Sequence, residues 1–173
     1  MRPRLSVFIA TSLDGYIAAS DGGLEWLRNA ATPGDDYGYA AFMQNVDALA
    51  MGRGTYDHIA ALDPLPFDGR PLCVFTHRPP EPRTGVTFWQ ATPGEAASEW
   101  ERQGLGRVYV DGGRLIGSFL EADLIDDITI TVVPILLGSG LPLFHPSSTV
   151  RRFRLDECES WPDGLVTLSY SRA

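Results

Sequence analysis

The sequence predicts an α/β fold: a single-domain, mostly parallel twisted sheet with flanking helices and an antiparallel hairpin at its C-terminal edge. Three observations carry this. Short apolar runs alternate repeatedly with stretches of helical spacing, and strands joined through helices run parallel with right-handed crossovers. The last two apolar runs, about 149–159 and 165–171, have no helix between them and therefore pair antiparallel at an edge. A chain of 173 residues, 44% hydrophobic and 21% charged, suits one domain over 1–173 with a sizeable core.

Taken in order, residues 5–10 read as a buried first strand, and Asp14-Gly15 as a turn into a short second one, Tyr16–Ala18. Residues 20–34 form a long loop containing Gly22-Gly23 and Trp26. Asp35 or Asp36 caps a helix that runs to about Asn45, with Tyr39, Phe42, Met43 and Val46 near helical spacing. Residues 48–51 make a short strand ending at Gly52-Arg53-Gly54, and a short helix over 55–61 stops before Pro64. Residues 71–76 are another buried strand, closed by Arg78-Pro79-Pro80. Val86–Trp89 follows, then a helix over about 93–103 with Pro93 suited to its first turn. The next strand, 108–110, leads into a helix that begins after Gly113 and ends near Ala122. Asp127–Val133 alternates as a long strand, and Gly138-Ser139-Gly140 turns the chain towards the closing pair.

Composition narrows the function. A net charge of −8 argues against general binding to nucleic acid or anionic membranes, since both need a basic face. An anionic small ligand held in a local basic pocket remains compatible with it. Glycine and proline are scattered, with no repeat and no low-complexity segment. Cys73 and Cys158 stand far apart with no CxxC, which makes neither a disulfide scaffold nor a metal site. The first residues lack the apolar stretch of a signal peptide and nothing approaches a membrane span, so a cytoplasmic location is expected.

The chemistry concentrates at one end of the sheet. The strand 108–110 ends in Asp111-Gly112-Gly113 and then turns helical through Leu115, Ile116, Phe119 and Leu120. Two glycines at a strand-to-helix corner leave the first helical amides uncovered, and with the helix dipole these form a site for an anion such as a pyrophosphate. A tight turn alone would also explain the pair, because the three-glycine dinucleotide fingerprint is absent. Ligands of parallel sheets sit beyond the carboxyl ends of the strands. Met51-Gly52-Arg53, Thr76-His77-Arg78 and Asp111-Gly112-Gly113 all lie at such ends.

These corners, in this order, resemble the dihydrofolate reductase-like superfamily. Further matches are 8–18, Met51 to Tyr56, Val74 to Pro79, Ile128 to Thr131 and the closing hairpin. The Asp-Gly-Gly corner and the Gly-Ser-Gly hairpin are most similar to the pyrimidine reductase of riboflavin biosynthesis. The resemblance implies an NADPH-dependent reductase that passes hydride to a small planar heterocycle of pyrimidine or pterin type. It places the adenosine 2′-phosphate between Gly52-Arg53-Gly54-Thr55 and Thr76-His77-Arg78. The pyrophosphate falls at Val110, Gly112, Gly113, Arg114 and Leu115, and the nicotinamide against Ala10 and Ile17. Folate-reducing members carry a carboxylate on the first helix, and an ungapped count puts that position at Asp36, with Thr131 as its hydroxyl partner. Trp26, Tyr37 and Tyr39 fall on the substrate side, the tyrosines as stacking surfaces.

The residues leave alternatives open beside this. Arg53 and Arg78 also read as solvated surface arginines, Ala10 as a core residue, Asp35 or Asp36 as a helix cap, and Trp26 as either a lid or a plug on the core. His58 reads as a surface or packing residue, His145 as a loop residue, and Trp100 and Trp161 as structural. Riboflavin-type relatives pair as dimers, and the late hairpin carries Phe153, Leu155, Leu165, Val166 and Leu168 near a sheet edge, so a homodimer is expected. No second basic cluster is placed for a substrate phosphate, and the histidine and CxxC of the zinc deaminase are absent, which leaves the physiological substrate open. The alternative function is a non-catalytic NADP(H)-binding or dimerising module of the same fold.

Overall fold

In a computed structural model, which describes residues 1–147 and 149–173, the apolar runs become strands. The chain runs through β1 (Arg4–Ser12), β2 (Tyr16–Ala18), α1 (Glu25–Ala30), α2 (Tyr39–Met43), β3 (Ala48–Gly52), α3 (Arg53–Ile59) and β4 (Leu72–Phe75). It continues with β5 (Val86–Trp89), α4 (Pro93–Arg102), β6 (Arg107–Asp111), α5 (Gly113–Glu121), β7 (Asp127–Val133), β8 (Leu141–Pro142), β9 (Phe153–Ser160) and β10 (Val166–Arg172). One sheet holds eight strands in the order β5-β4-β3-β6-β1-β7-β10-β9. The pairings from β5 across to β7 are parallel, and β7, β10 and β9 pair antiparallel, as the helix-free terminal pair requires.

Alternation along the strands sorts the core into two layers. On one face Leu5, Val7, Val108 and Val110 pack under α4 and α5 with Trp100, Ile116 and Phe119. The Trp100 ring stacks on both Trp89 and Phe119 at centroid distances of 5.8 Å. On the other face Leu49, Met51, Leu72, Val74 and Tyr109 meet Met43 of α2 and Tyr56 of α3. At the amino ends of the central strands, Asp127 accepts hydrogen bonds from Arg107 Nη2 at 2.8 Å, Ser6 Oγ at 2.9 Å and Arg4 Nε at 2.5 Å. That ring of charge closes one end of the sheet and leaves the carboxyl ends for a site.

Several elements differ from the sequence reading. The stretch 20–34 is not all loop: α1 occupies Glu25–Ala30. The helix expected from Asp35 or Asp36 begins later, with Gly38 at φ +90° as its N-cap. α3 starts at Arg53, directly off β3 with no intervening turn. β2 and β8 form a separate two-stranded ribbon that crosses the carboxyl end of the sheet. Its approach is close enough that a Cβ on Gly140 would stand 2.3 Å from the Ala18 carbonyl oxygen. No described helix is long and apolar enough to cross a membrane.

Candidate functional site

The carboxyl ends of β1, β3, β4, β5 and β6, roofed by the β2–β8 ribbon and the segment around α1, enclose a cleft of about 1040 Å³. Gly52, Arg53, Gly54 and Thr55 line it from the β3–α3 corner, and Thr76 and His77 from the end of β4. Gly112, Gly113, Arg114 and Leu115 line it from the start of α5, and Ala10 and Ile17 from β1 and β2. The structure thus gathers most of the expected cofactor residues around one space.

Local chemistry explains the corner. Gly112 has φ +94°, and a Cβ there would stand 2.5 Å from Thr55 Oγ1, so both backbone and space demand glycine. A Cβ on Gly113 would lie 2.6 Å from the Pro142 carbonyl oxygen and 3.2 Å from Ile17 Cδ1, which draws β8 and β2 down onto the helix start. No side chain caps the amino end of α5. Its first amides and dipole are therefore available to an anion. Arg53 is held by Asp57 Oδ1 at 2.7 Å through Nε, and its Nη1 donates to the Arg78 carbonyl at 2.6 Å.

Six expectations are corrected. Val110 is fully buried under α5 and does not line the cleft, because it alternates with Tyr109 and Asp111, which face the other way. Arg78 is exposed beyond the wall and contributes its carbonyl to Arg53. Asp36 is exposed and caps the turn before α2, its two carboxylate oxygens accepting from Gly38 N at 3.0 Å and Ala40 N at 2.8 Å. Thr131 is buried in the ladder between β7 and β10, paired with Thr167 Oγ1 at 3.0 Å, so it is no partner of Asp36. Tyr37 is also structural: its ring packs edge-on against Trp161, its hydroxyl accepts from Thr32 N, and it donates to Asp163. That donation holds the Asp163 carboxyl down at about 2. Trp26 packs with Tyr37, Val133 and Leu165 as a plug and does not line the cleft. Tyr39 does line it, set edge-on against Phe8 at 5.6 Å.

The sequence places Asp111 in the glycine corner at a strand end but assigns it no role of its own. It lines the floor of the cleft at the end of β6, and its Oδ1 accepts from Gly112 N at 2.8 Å. Burial pushes its carboxyl up to about 6, against the opposing pull of that amide. Tyr109 donates to the Phe8 carbonyl at 2.8 Å, and burial, with the Asp111 charge, raises its pKa. The same two causes raise Tyr39. An acid at the end of a buried strand, just before paired glycines, was the available signal. Among the described residues no cluster of histidine, cysteine or carboxylate side chains has the makings of a metal site. The cleft thus has Ala10 on its wall, a protonatable carboxyl on its floor and two phenols among its lining residues.

Comparison with known proteins identifies the family of the chain. The family model of the RibD C-terminal domain matches residues 65–167. The uncharacterized protein YwjB of Bacillus subtilis is 35% identical over 176 residues, spanning 100% of both chains. The riboflavin biosynthesis protein RibD of Corynebacterium ammoniagenes is 30% identical over 84% of this chain and 47% of its own, so this chain spans about half of that relative. The crystal structure of a protein from Shewanella sp. PV-4, provisionally named for riboflavin biosynthesis, matches with a TM-score of 0.91 at 37% identity, over 100% of this chain and 99% of that one. A pyrimidine reductase-like protein from Corynebacterium diphtheriae shares the fold, with a TM-score of 0.72 at 17% identity over 99% and 92% of the two chains.

Proposed function

Because this chain belongs to the RibD C-terminal domain family, with the dihydrofolate reductase-like fold and reductase-like role of that family, we propose that it is an NADPH-dependent reductase of a small planar heterocycle, pyrimidine-like or pterin-like. The observation that carries this reading is the convergence of an uncapped helix start, a glycine corner and Arg53 on one cleft. A long polyanionic ligand needs amides for its pyrophosphate and a cation for its 2′-phosphate, and these residues supply both. The donor set fits the cofactor.

Each part of the wall then has a task. The Gly113, Arg114 and Leu115 amides hold the pyrophosphate, and Arg53, Thr76 and His77 hold the 2′-phosphate. Ala10, a small residue of the wall, lets a flat ring lie against β1, with Ile17 closing the other side. The bound cofactor supplies the hydride. Tyr39 and Phe8 offer an aromatic surface for the acceptor ring, and Asp111 holds a proton at its edge. The Gly112 amide holds the Asp111 carboxyl in place, and Tyr109, fixed to the Phe8 carbonyl, lines the cleft with it. The β2–β8 ribbon excludes water from the ring-binding end.

Arg53 provides the test of cofactor choice. Charge-assisted contacts to a phosphate are worth about 1.5–3 kcal/mol, and partial exposure reduces this. Arg53→Ala is expected to weaken NADPH about tenfold and leave NADH nearly unchanged in equilibrium titrations. Equal losses for both would contradict the placement of the 2′-phosphate.

The expected homodimer also remains part of the reading. β9 is an edge strand with both faces largely exposed, and Leu155 is half exposed on it. An unpaired strand edge is open to pairing with a second copy. Light scattering at tens of micromolar is expected to return twice the chain mass, and a monomer mass would refute the dimer.

A further inference from the structure

We propose that His58 is a positioning residue of the cofactor cleft: as an imidazolium it clasps the turn 19–23 to the first turn of α3, and loss of its proton frees that wall. The proposal rests on the reading of the cleft as a cofactor site. His58 lies near the end of α3, with Nδ1 2.8 Å from the Gly54 carbonyl oxygen and Nε2 2.9 Å from the Gly22 carbonyl oxygen. Both partners are acceptors only. A neutral imidazole carries one N–H, so one of the two contacts would set lone pair against lone pair. Only the doubly protonated ring donates to both.

The contact is built into the chain on both sides. Gly22 has φ +85°, and a Cβ there would come within 3.1 Å of His58 Nε2 and 3.3 Å of Cε1. The glycine thus supplies the backbone conformation and the room for the ring. The turn is closed on itself, with Gly22 N bonded to Ala19 O at 2.9 Å and Ala19 N to Gly23 O at 3.0 Å, so it presents the Gly22 carbonyl as a fixed acceptor. Asp21 braces it further by accepting from Gly23 N at 2.8 Å. Gly22, Leu24, Leu27, Gly54 and His58 all line the cleft. Holding Gly22 therefore sets where the segment bearing Leu24 and Leu27 meets the ligand.

The charged groups around the ring agree with a cation. Asp57 and Arg53 stand on its own helix and are paired with each other, Asp21 and Glu25 belong to the side it holds, and His77, Asp111, Arg114 and His145 line the same cleft. The two carbonyls raise the ring's pKa above the ordinary histidine value, partial burial opposes them, and Asp57 adds to the rise. A raised folded pKa means that the clasp is complete below the ordinary histidine range and opens as pH rises through the folded value. A phosphate-bearing ligand in the same cleft favours the charged ring, so binding is expected to draw the His58 titration higher still.

The test measures the ligand-free protein first. Proton NMR is expected to show His58 titrating above the ordinary histidine value, with amide protection of residues 19–27, corrected for intrinsic exchange, falling over the same pH range while β1 and β6 keep theirs. Titrations with NADPH and with NADH are then expected to show affinity falling about three- to tenfold across that range, the worth of one hydrogen bond. NADH excludes titration of the 2′-phosphate as the cause, His77→Gln and His145→Gln exclude those histidines, and Asp111→Asn excludes the carboxyl that burial raises to about 6 in the same cleft. His58→Gln is expected to bind more weakly and to lose this pH dependence. Protection that tracks His58 supports the clasp even if neither nucleotide binds, an outcome that would instead refute the cofactor reading. Unchanged protection across the His58 titration, or a His58 that titrates at or below its ordinary value, overturns the clasp however tightly NADPH binds.

Discussion

Replacing Asp111 by Asn is expected to cut turnover by about a hundredfold or more while leaving NADPH affinity and thermal stability close to those of the wild type. The scale is that of losing a general acid. Asn keeps the size of the side chain and an oxygen that accepts from the Gly112 amide, but it carries no transferable proton. Burial has raised the Asp111 carboxyl to about 6, so the acid form is present in weakly acidic solution and declines as pH rises through that value. Turnover in the wild type should follow the same decline, and the residual rate of Asp111→Asn should not. Asp36→Asn serves as the control: its oxygens cap the turn before α2, Asn caps about as well as Asp, and turnover should be unaffected. Undiminished turnover in Asp111→Asn would remove it as the proton source.

Gly113→Val is expected to abolish detectable NADPH binding and to lower the melting temperature. The added Cβ would meet a backbone oxygen, that of Pro142, at 2.6 Å, and backbone cannot move aside as a flexible side chain can. Relief requires the β2–β8 ribbon to lift from the start of α5. That movement separates Ile17 from the α5 amides and opens the cleft to water. Overpacking of this kind costs about 1–3 kcal/mol, and each 1.4 kcal/mol borne by the bound state is a tenfold loss in affinity. Gly113→Ala, with the same Cβ and no branch, should show the same defect in weaker form. A folded Gly113→Val protein with unchanged NADPH affinity would reduce the glycine pair to a turn.

These two positions show what could be read from the chain and what could not. The strands, the parallel order and the terminal antiparallel pair follow from local apolar runs and the length of the connections. The three corners follow from glycine and arginine placed just after those runs. The role of Asp111 depends on β6 alternation and on the packing around it, which bring together residues distant in sequence, whereas Tyr39, expected on the substrate side, does line the cleft. Asp36 misled because one pattern, a carboxylate ahead of a short helix, serves both capping and acid catalysis, and only its hydrogen bonds to Gly38 and Ala40 separate the two. Tyr37 misled in the same way, since an aromatic beside a predicted site looks alike whether it stacks on a ligand or on Trp161. The β8 segment is two residues long and pairs with β2 across most of the chain, too short and too remote to show as a periodic run. His58 needed Gly22, 36 positions away, to become more than a helix residue.

The cleft is expected to bind NADPH through its 2′-phosphate and pyrophosphate. Trp89 lies in the cleft wall, so its fluorescence reports directly on occupancy. Titrating the wild-type protein with NADPH and, separately, NADH near neutral pH at low ionic strength is predicted to give saturable quenching by both, with NADPH bound at least about tenfold more tightly, the worth of one charge-assisted phosphate contact. Equal affinities, or no saturable change with either nucleotide, would contradict it.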